Sequence, residues 1–131
     1  MKTIALKTCR RSEMVEITDL VEREVSASGM EDGICVVFVP HTTAGITINE
    51  NADPSVRADI QSVLSRLVPA GTGYSHLEGN ADSHVRASLM GSSVCVPVER
   101  GRLRLGTWQG IFFCEFDGPR QRRVWISFVK S

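Results

Sequence analysis

The sequence predicts a single α+β domain spanning residues 1–131, with seven or eight strands in mostly antiparallel or mixed sheets and two or three helices. Three observations carry that prediction. The 131 residues are 42% apolar and 23% charged, the composition of one ordinary globular core. Apolar side chains recur with period two in several short runs and with helical period in two or three longer ones. Glycine-containing turns cut the C-terminal third into short β-rich segments, with no internal repeat, linker or low-complexity stretch between them. A chain of this length buries roughly two-thirds of its unfolded surface, enough to fold without disulfides or a structural metal.

Taken in order, residues 3–8 alternate, placing Ile4 and Leu6 on one face of a first strand. Thr18 or Asp19 is placed to cap a helix whose stripe is Leu20, Val21, Glu24, Val25 and Ser28, with Gly29 as its stop. Residues 34–39 form a β-rich run ended by Pro40, the pattern of a buried strand, so His41 falls at a strand end. Residues 44–50 alternate through Ile46 and Ile48. Asp53-Pro54 is a strong helix start, followed by a face of Val56, Ile60, Val63, Leu64 and Leu67. Residues 69–73 break that pattern. Asn80 or Asp82 is placed to cap a third helix carrying Val85, Leu89 and Met90, with Gly91 at its end. Residues 93–98, 103–105, 111–116 and 124–129 then read as strands.

Charge and cysteine usage exclude several classes of function. Fifteen Lys and Arg balance fifteen Asp and Glu, so no overall field gathers nucleic acid or an anionic membrane. Residues 1–65 hold six basic and ten acidic side chains, whereas residues 66–131 hold nine and five. Arg makes up twelve of the fifteen cations, which points to the second half as the place for a small anionic ligand. Cys9, Cys35, Cys95 and Cys114 have no CxxC spacing and read as small buried hydrophobes in a reducing compartment. The alternating start Met1-Lys2-Thr3-Ile4-Ala5-Leu6-Lys7 has no apolar signal-peptide region, so a cytoplasmic location is expected.

Three histidines, His41, His76 and His84, lie beside turn and cap residues in the middle of the chain. Three imidazoles with a fourth position open to water describe a catalytic zinc geometry. Their spacing fits no compact zinc motif, so they are either a shared site built by the fold or separate surface and core histidines. Glu50, Asp53, Glu78 and Asp82 flank them as possible ligands or proton carriers. Asp53 and Asp82 have the rival task of capping helices; Glu50 and Glu78 have no evident structural duty. Trp108 sits between Gly106 and Gly110, where an indole can stack on a planar ring or simply cover a tight turn. Arg120, Arg122 and Arg123 form a cationic cluster suited to phosphate or to a solvated strand end. Glycine-rich nucleotide loops are missing.

Four ordered blocks together resemble the YjbQ family. They are His41-Thr42-Thr43-Ala44-Gly45 through Asn49-Glu50-Asn51-Ala52-Asp53; His76-Leu77-Glu78-Gly79-Asn80-Ala81-Asp82-Ser83-His84; Gly106-Thr107-Trp108-Gln109-Gly110-Ile111; and Glu115-Phe116-Asp117-Gly118-Pro119-Arg120. One departure is Ser83, where a small apolar residue is expected before the histidine. The resemblance runs over nearly the whole chain. It implies the YjbQ-like α+β fold, a homotrimer, and a pocket near subunit contacts. It also implies zinc or another divalent metal on His41, His76 and His84. Glu50 and Glu78 are then the proton carriers, and Asn49, Trp108 and Arg120 bind the substrate and its phosphate. The activity implied is a secondary thiamine-phosphate synthase activity, joining a pyrimidine pyrophosphate to a thiazole phosphate with release of pyrophosphate. The expected function is thus a metal-assisted enzyme acting on a small phosphorylated metabolite. The alternatives are a metal-dependent phosphatase or hydrolase and a non-catalytic metal- or metabolite-binding trimer.

Overall fold

The computed structural model describes residues 1–71 and 73–131; the expected break over residues 69–73 therefore contains one position, Thr72, that lies outside the described residues. The elements run β1 (Lys2–Lys7), β2 (Glu13–Glu16), α1 (Thr18–Ser28), β3 (Gly33–Phe38), β4 (Ala44–Glu50), α2 (Pro54–Leu67), α3 (Ala81–Met90), β5 (Ser93–Glu99), β6 (Arg102–Leu103), β7 (Gln109–Glu115) and β8 (Gln121–Lys130). A five-stranded sheet has the order β1-β8-β3-β5-β6 and a three-stranded sheet the order β2-β7-β4. All strand pairs are antiparallel. The architecture is the predicted α+β class. Among the described residues, no helix is long and apolar enough to cross a membrane.

Strand alternation explains the layering. Ile4, Cys35, Val37, Val96, Val98, Val124 and Ile126 point inward from the larger sheet and meet Ile46, Ile111 and Phe113 of the smaller one, with Val21 and Val25 of α1 closing the side. The intervening residues Phe112 and Cys114 of β7, with Met14 and Phe116, point the other way onto Ala87 of α3 and Ile60 and Leu64 of α2. β7 is therefore buried on both faces and is the middle layer of a sheet–sheet–helix stack. Each large side chain buried there stabilises the fold by about 1.5–3 kcal/mol.

Several sequence expectations need correction. The run 34–39 is buried on one face alone: Cys35, Val37 and Val39 point in, while Ile34 and Phe38 are exposed. β2 was not expected, because Glu-Met-Val-Glu is too short to establish alternation. Ile17 occupies the α1 cap position without a side-chain bond, and Thr18 is already helical. Asp53 does cap α2, accepting from the Ser55 N–H at 2.9 Å. The α2 stripe is covered only in part, by Ile60 and Leu64 against Phe112 and Cys114, and Leu67 stays exposed. In α3 the expected apolar residues Val85 and Leu89 face solvent, and the buried residues are Ala81, Asp82, Ser83, Arg86 and Ala87. Cys35 and Cys114 are core residues as expected, whereas Cys9 and Cys95 are exposed. Burial pushes the Cys35 thiol up to about 11, with Glu22 adding to the effect, and the Cys114 thiol up to about 12, so both are inert.

Candidate functional site

The β3–β4 connection, the segment before α3, and the β7–β8 connection meet at one end of the stack. They enclose a cleft of about 570 Å³ lined by His41, Thr43, Glu78, Asn80, His84, Asp117 and Arg120, among others. Pro40 ends β3 and turns the chain, which delivers His41 to the rim. His84 lies in the first turns of α3, where His76 packs edge to face against it with ring centres 5.1 Å apart. His76 Nε2 is 3.8 Å from Glu78 Oε2.

Arg120 is held in place by one neighbour. Its Nε donates to the Asp117 carbonyl at 2.6 Å and its Nη2 to Asp117 Oδ2 at 2.8 Å. The same carboxylate oxygen accepts from Asn80 Nδ2 at 2.8 Å, which leaves Asn80 Oδ1 buried without a donor in this wall of the cleft. Asn80 thus occupies the α3 cap position without capping it. An acceptor stripped of water and left unpaired costs about 1–3 kcal/mol.

Beneath the cleft lies a fully buried ion pair. Arg122 donates to both oxygens of Glu115 and to Thr43 Oγ1, and Thr8 Oγ1 donates to Glu115 Oε1 at 2.7 Å. Glu115 also accepts from the backbone N–H groups of Phe116 and Asp117. Arg122 lines the cleft but is committed to this scaffold, and Arg123 is not among the lining residues, so Arg120 is the arginine of the expected cluster that is half-exposed there. Burial pushes the Glu115 carboxyl up, but the hydrogen bonds from Arg122, Thr8 and Asp117 outweigh it and hold it below the usual carboxylate range.

His41 points its Nε2 at the Arg123 N–H, 3.0 Å away. Burial, reinforced by the Arg122 charge, lowers its pKa, and a neutral ring that accepts this bond on Nε2 carries its proton on Nδ1. The Nε2 lone pair is thus engaged by the Arg123 N–H. Among the described residues, no three His, Cys, Asp or Glu side chains form a group that could hold a metal ion. His76 packs against His84 with Glu78 beside it, and the side chains as they lie do not form a ready site for the zinc or other divalent metal expected on His41, His76 and His84.

Five of the eight expected site residues thus gather here: four line the cleft, and His76 abuts His84. The other three are elsewhere. Asn49 and Glu50 close β4, opposite Gly110 and Gln109 of β7. Six residue steps separate Glu50 from Ala44 beside the cleft, about 20 Å along a strand. Trp108 stands next to them, 62% exposed, and its carbonyl accepts from the Asn51 N–H. Their motifs have a structural task at that end. Glu16 Oε2 accepts from Thr18 Oγ1 and Asn51 Nδ2, and Glu50 accepts from the Asp53 N–H. A Cβ on Gly110 would lie 2.6 Å from Glu16 Oε2 and 2.8 Å from Asn51 Cβ. Gly110→Ala is expected to lower stability by about 1–3 kcal/mol in a denaturant melt.

Comparison with known proteins agrees with this fold. Residues 2–131 match the family described as UPF0047 protein YjbQ-like. A UPF0047 protein of Methanocaldococcus jannaschii is 52% identical over 124 residues, covering 95% of this chain and 90% of that one. The UPF0047 protein YugU of Bacillus subtilis is 48% identical over 130 residues, 98% of each chain. The crystal structure of an uncharacterized conserved protein of the YjbQ/UPF0047 family from Clostridium acetobutylicum superposes with a TM-score of 0.96 at 52% identity, over 98% of this chain and 100% of that one. A hypothetical protein from Aeropyrum pernix does so with a TM-score of 0.94 at 39% identity, over 99% and 98% of the two chains.

Proposed function

We propose that this chain, which belongs to the UPF0047 protein YjbQ-like family, is an enzyme that acts on a small phosphorylated metabolite held in the cleft. The observation that carries this reading is the convergence of His41, Glu78, His84 and Arg120, from separate segments, on one cleft of about 570 Å³. Arg120 takes the phosphate. Its two bonds to Asp117 fix the guanidinium plane and leave the Nη1 donors for an oxyanion. Imidazoles as a class give and take protons near neutral pH, so His84 serves as proton donor to a departing phosphate oxygen; Glu78 takes the proton of an attacking water in hydrolysis, whereas a thiazole nitrogen attacks through its lone pair and brings no proton to remove.

The reaction favoured by the family resemblance is the joining of a pyrimidine pyrophosphate to a thiazole phosphate. Its main electrostatic demand is stabilising the charge on the departing pyrophosphate, which Arg120 meets. A homotrimer belongs to the same reading, supported by the apolar side chains Val63, Leu67 and Leu89 that the helical layer leaves in solvent. The test is product analysis with the two organic phosphates supplied together and singly. Thiamine phosphate formed only from the pair supports transfer; inorganic phosphate released from either alone indicates hydrolysis. Arg120→Ala is expected to weaken pyrophosphate binding by roughly 10- to 150-fold, the value of a charge-assisted hydrogen bond, with little change in melting temperature because Arg120 is half-exposed and Asp117 keeps its bond from Asn80.

A further inference from the structure

A second hollow shares the His41 wall. It lies on the outer face of the five-stranded sheet, holds about 710 Å³, and is lined by Ala5, Lys7, His41, Gln121, Arg123 and Trp125, with Leu6, Pro40 and Arg122 behind them. The register explains its shape. Lys7 pairs with Gln121, Ala5 with Arg123 and Thr3 with Trp125, so a single small residue lies between longer side chains. Trp125 forms one end and is itself stacked on Phe38 of the next strand, with ring centres 5.7 Å apart and 19° between planes. Its indole is thereby braced as a fixed platform.

The charge in this hollow is one-sided. The cleft balances Arg120 with Asp117 and also holds Glu78, whereas among the described residues no acidic side chain lines the hollow. Among the described residues, Lys7 and Arg123 are in no ion pair. They are diagonal cross-strand neighbours, roughly 7–8 Å apart at the backbone, and like charges so placed repel unless an anion lies between them. Two unneutralised cations, a braced indole and a small floor residue between them match a planar aromatic ring that bears a phosphate. The volume lies within the range of small-molecule sites.

We propose that this hollow is a second binding site, taking an aromatic phosphate with the phosphate between Lys7 and Arg123 and the ring against Trp125. His41 is the partition between this site and the cleft, its Nε2 pinned by the Arg123 N–H. The site stands on residues that the cleft reading does not use, apart from that shared wall. If both readings hold, the chain brings two phosphorylated reactants to opposite sides of one imidazole, an arrangement that serves group transfer and that hydrolysis does not need.

The experiment is a phenyl phosphate titration of the full-length 15N-labelled protein by NMR. The two indole N–H signals are assigned with Trp108→Phe and Trp125→Phe. The expected result is a saturable shift of the Trp125 indole and of the Ala5, Lys7 and Arg123 amides, with Trp108 unmoved. Combining Lys7→Gln with Arg123→Gln, both at exposed positions, is expected to weaken this binding at least tenfold, and phenol should bind at least tenfold more weakly than phenyl phosphate. Arg120→Ala leaves the Trp125 response intact even if it removes binding at the cleft. Shifts confined to Glu78, His84 and Arg120, or a Trp125 response unchanged in the double glutamine variant, would overturn the proposal without touching the cleft reading.

Discussion

Glu115→Ala is expected to destabilise the protein by about 3–5 kcal/mol, the cost of leaving the buried guanidinium of Arg122 without its counter-charge. For a chain of this length that corresponds to a fall in melting temperature of roughly 10–20 °C. Glu115 touches more than Arg122: Thr8 and the Phe116 and Asp117 amides also lose their acceptor. The β7–β8 turn that carries Arg120 loosens with them. Removing both charges together, as Glu115→Met with Arg122→Leu, is expected to cost less than the single change, because no uncompensated charge remains. A double-mutant cycle read by chemical denaturation separates the two costs; equal effects of the single and double changes would show that packing, not charge, dominates there.

The acid limb of stability follows from the same groups. His41 is a base whose folded pKa is depressed, so the unfolded chain binds the extra proton first and stability begins to fall as pH drops below the ordinary imidazole value. Glu115 and Asp82 are acids with depressed folded pKa values, so their contribution is complete above the unfolded carboxylate range and is lost as pH falls through their folded values. Two phases of acid destabilisation are therefore expected, and His41→Gln should remove the one nearer neutrality.

Most strands were legible because period two has few rivals when a run is bounded by proline or glycine, as at Pro40 and Gly91. The α3 face was misread for a physical reason. Helical periodicity identifies Val85 and Leu89 as the inward stripe, but the helix instead buries Asp82 and Arg86, an i,i+4 pair that satisfies itself away from water. A cue was present in the small residues Ala81, Ser83 and Ala87 that allow that face to approach β4. The Glu115–Arg122 pair was likewise available from alternation. Glu115 is in phase with Ile111 and Phe113, and Arg122 with Val124 and Ile126, so each sits at an inward position of a core strand. At the site, spacing could name the histidines but not say which end of β4 each motif would reach. Glu50 and Trp108 were joined to the cleft because sequence proximity carries no information about the 20 Å length of a seven-residue strand.

Asp82→Ala is the second large effect expected, again about 3–5 kcal/mol, but with a different consequence. Asp82 is 1% exposed and takes a bidentate bond from Arg11 and a 3.4 Å contact from Arg86. Arg11 is half in water and can retreat into it, so Arg11→Ala should cost clearly less than Asp82→Ala. Arg86 cannot retreat. It is buried, and its Nε and Nη2 both donate to the Val68 carbonyl at the end of α2. Without Asp82 that cation keeps one neutral acceptor, and α3 loses the charge that anchors its first turn. The turn concerned also bears Ser83, which donates to the Phe116 carbonyl, and His84. Amide hydrogen exchange should therefore accelerate first over residues 76–90, and binding at the cleft should fall before the sheets melt. Uniform acceleration across all elements would instead mean that the Asp82 network supports the whole fold equally and has no special hold on the cleft wall.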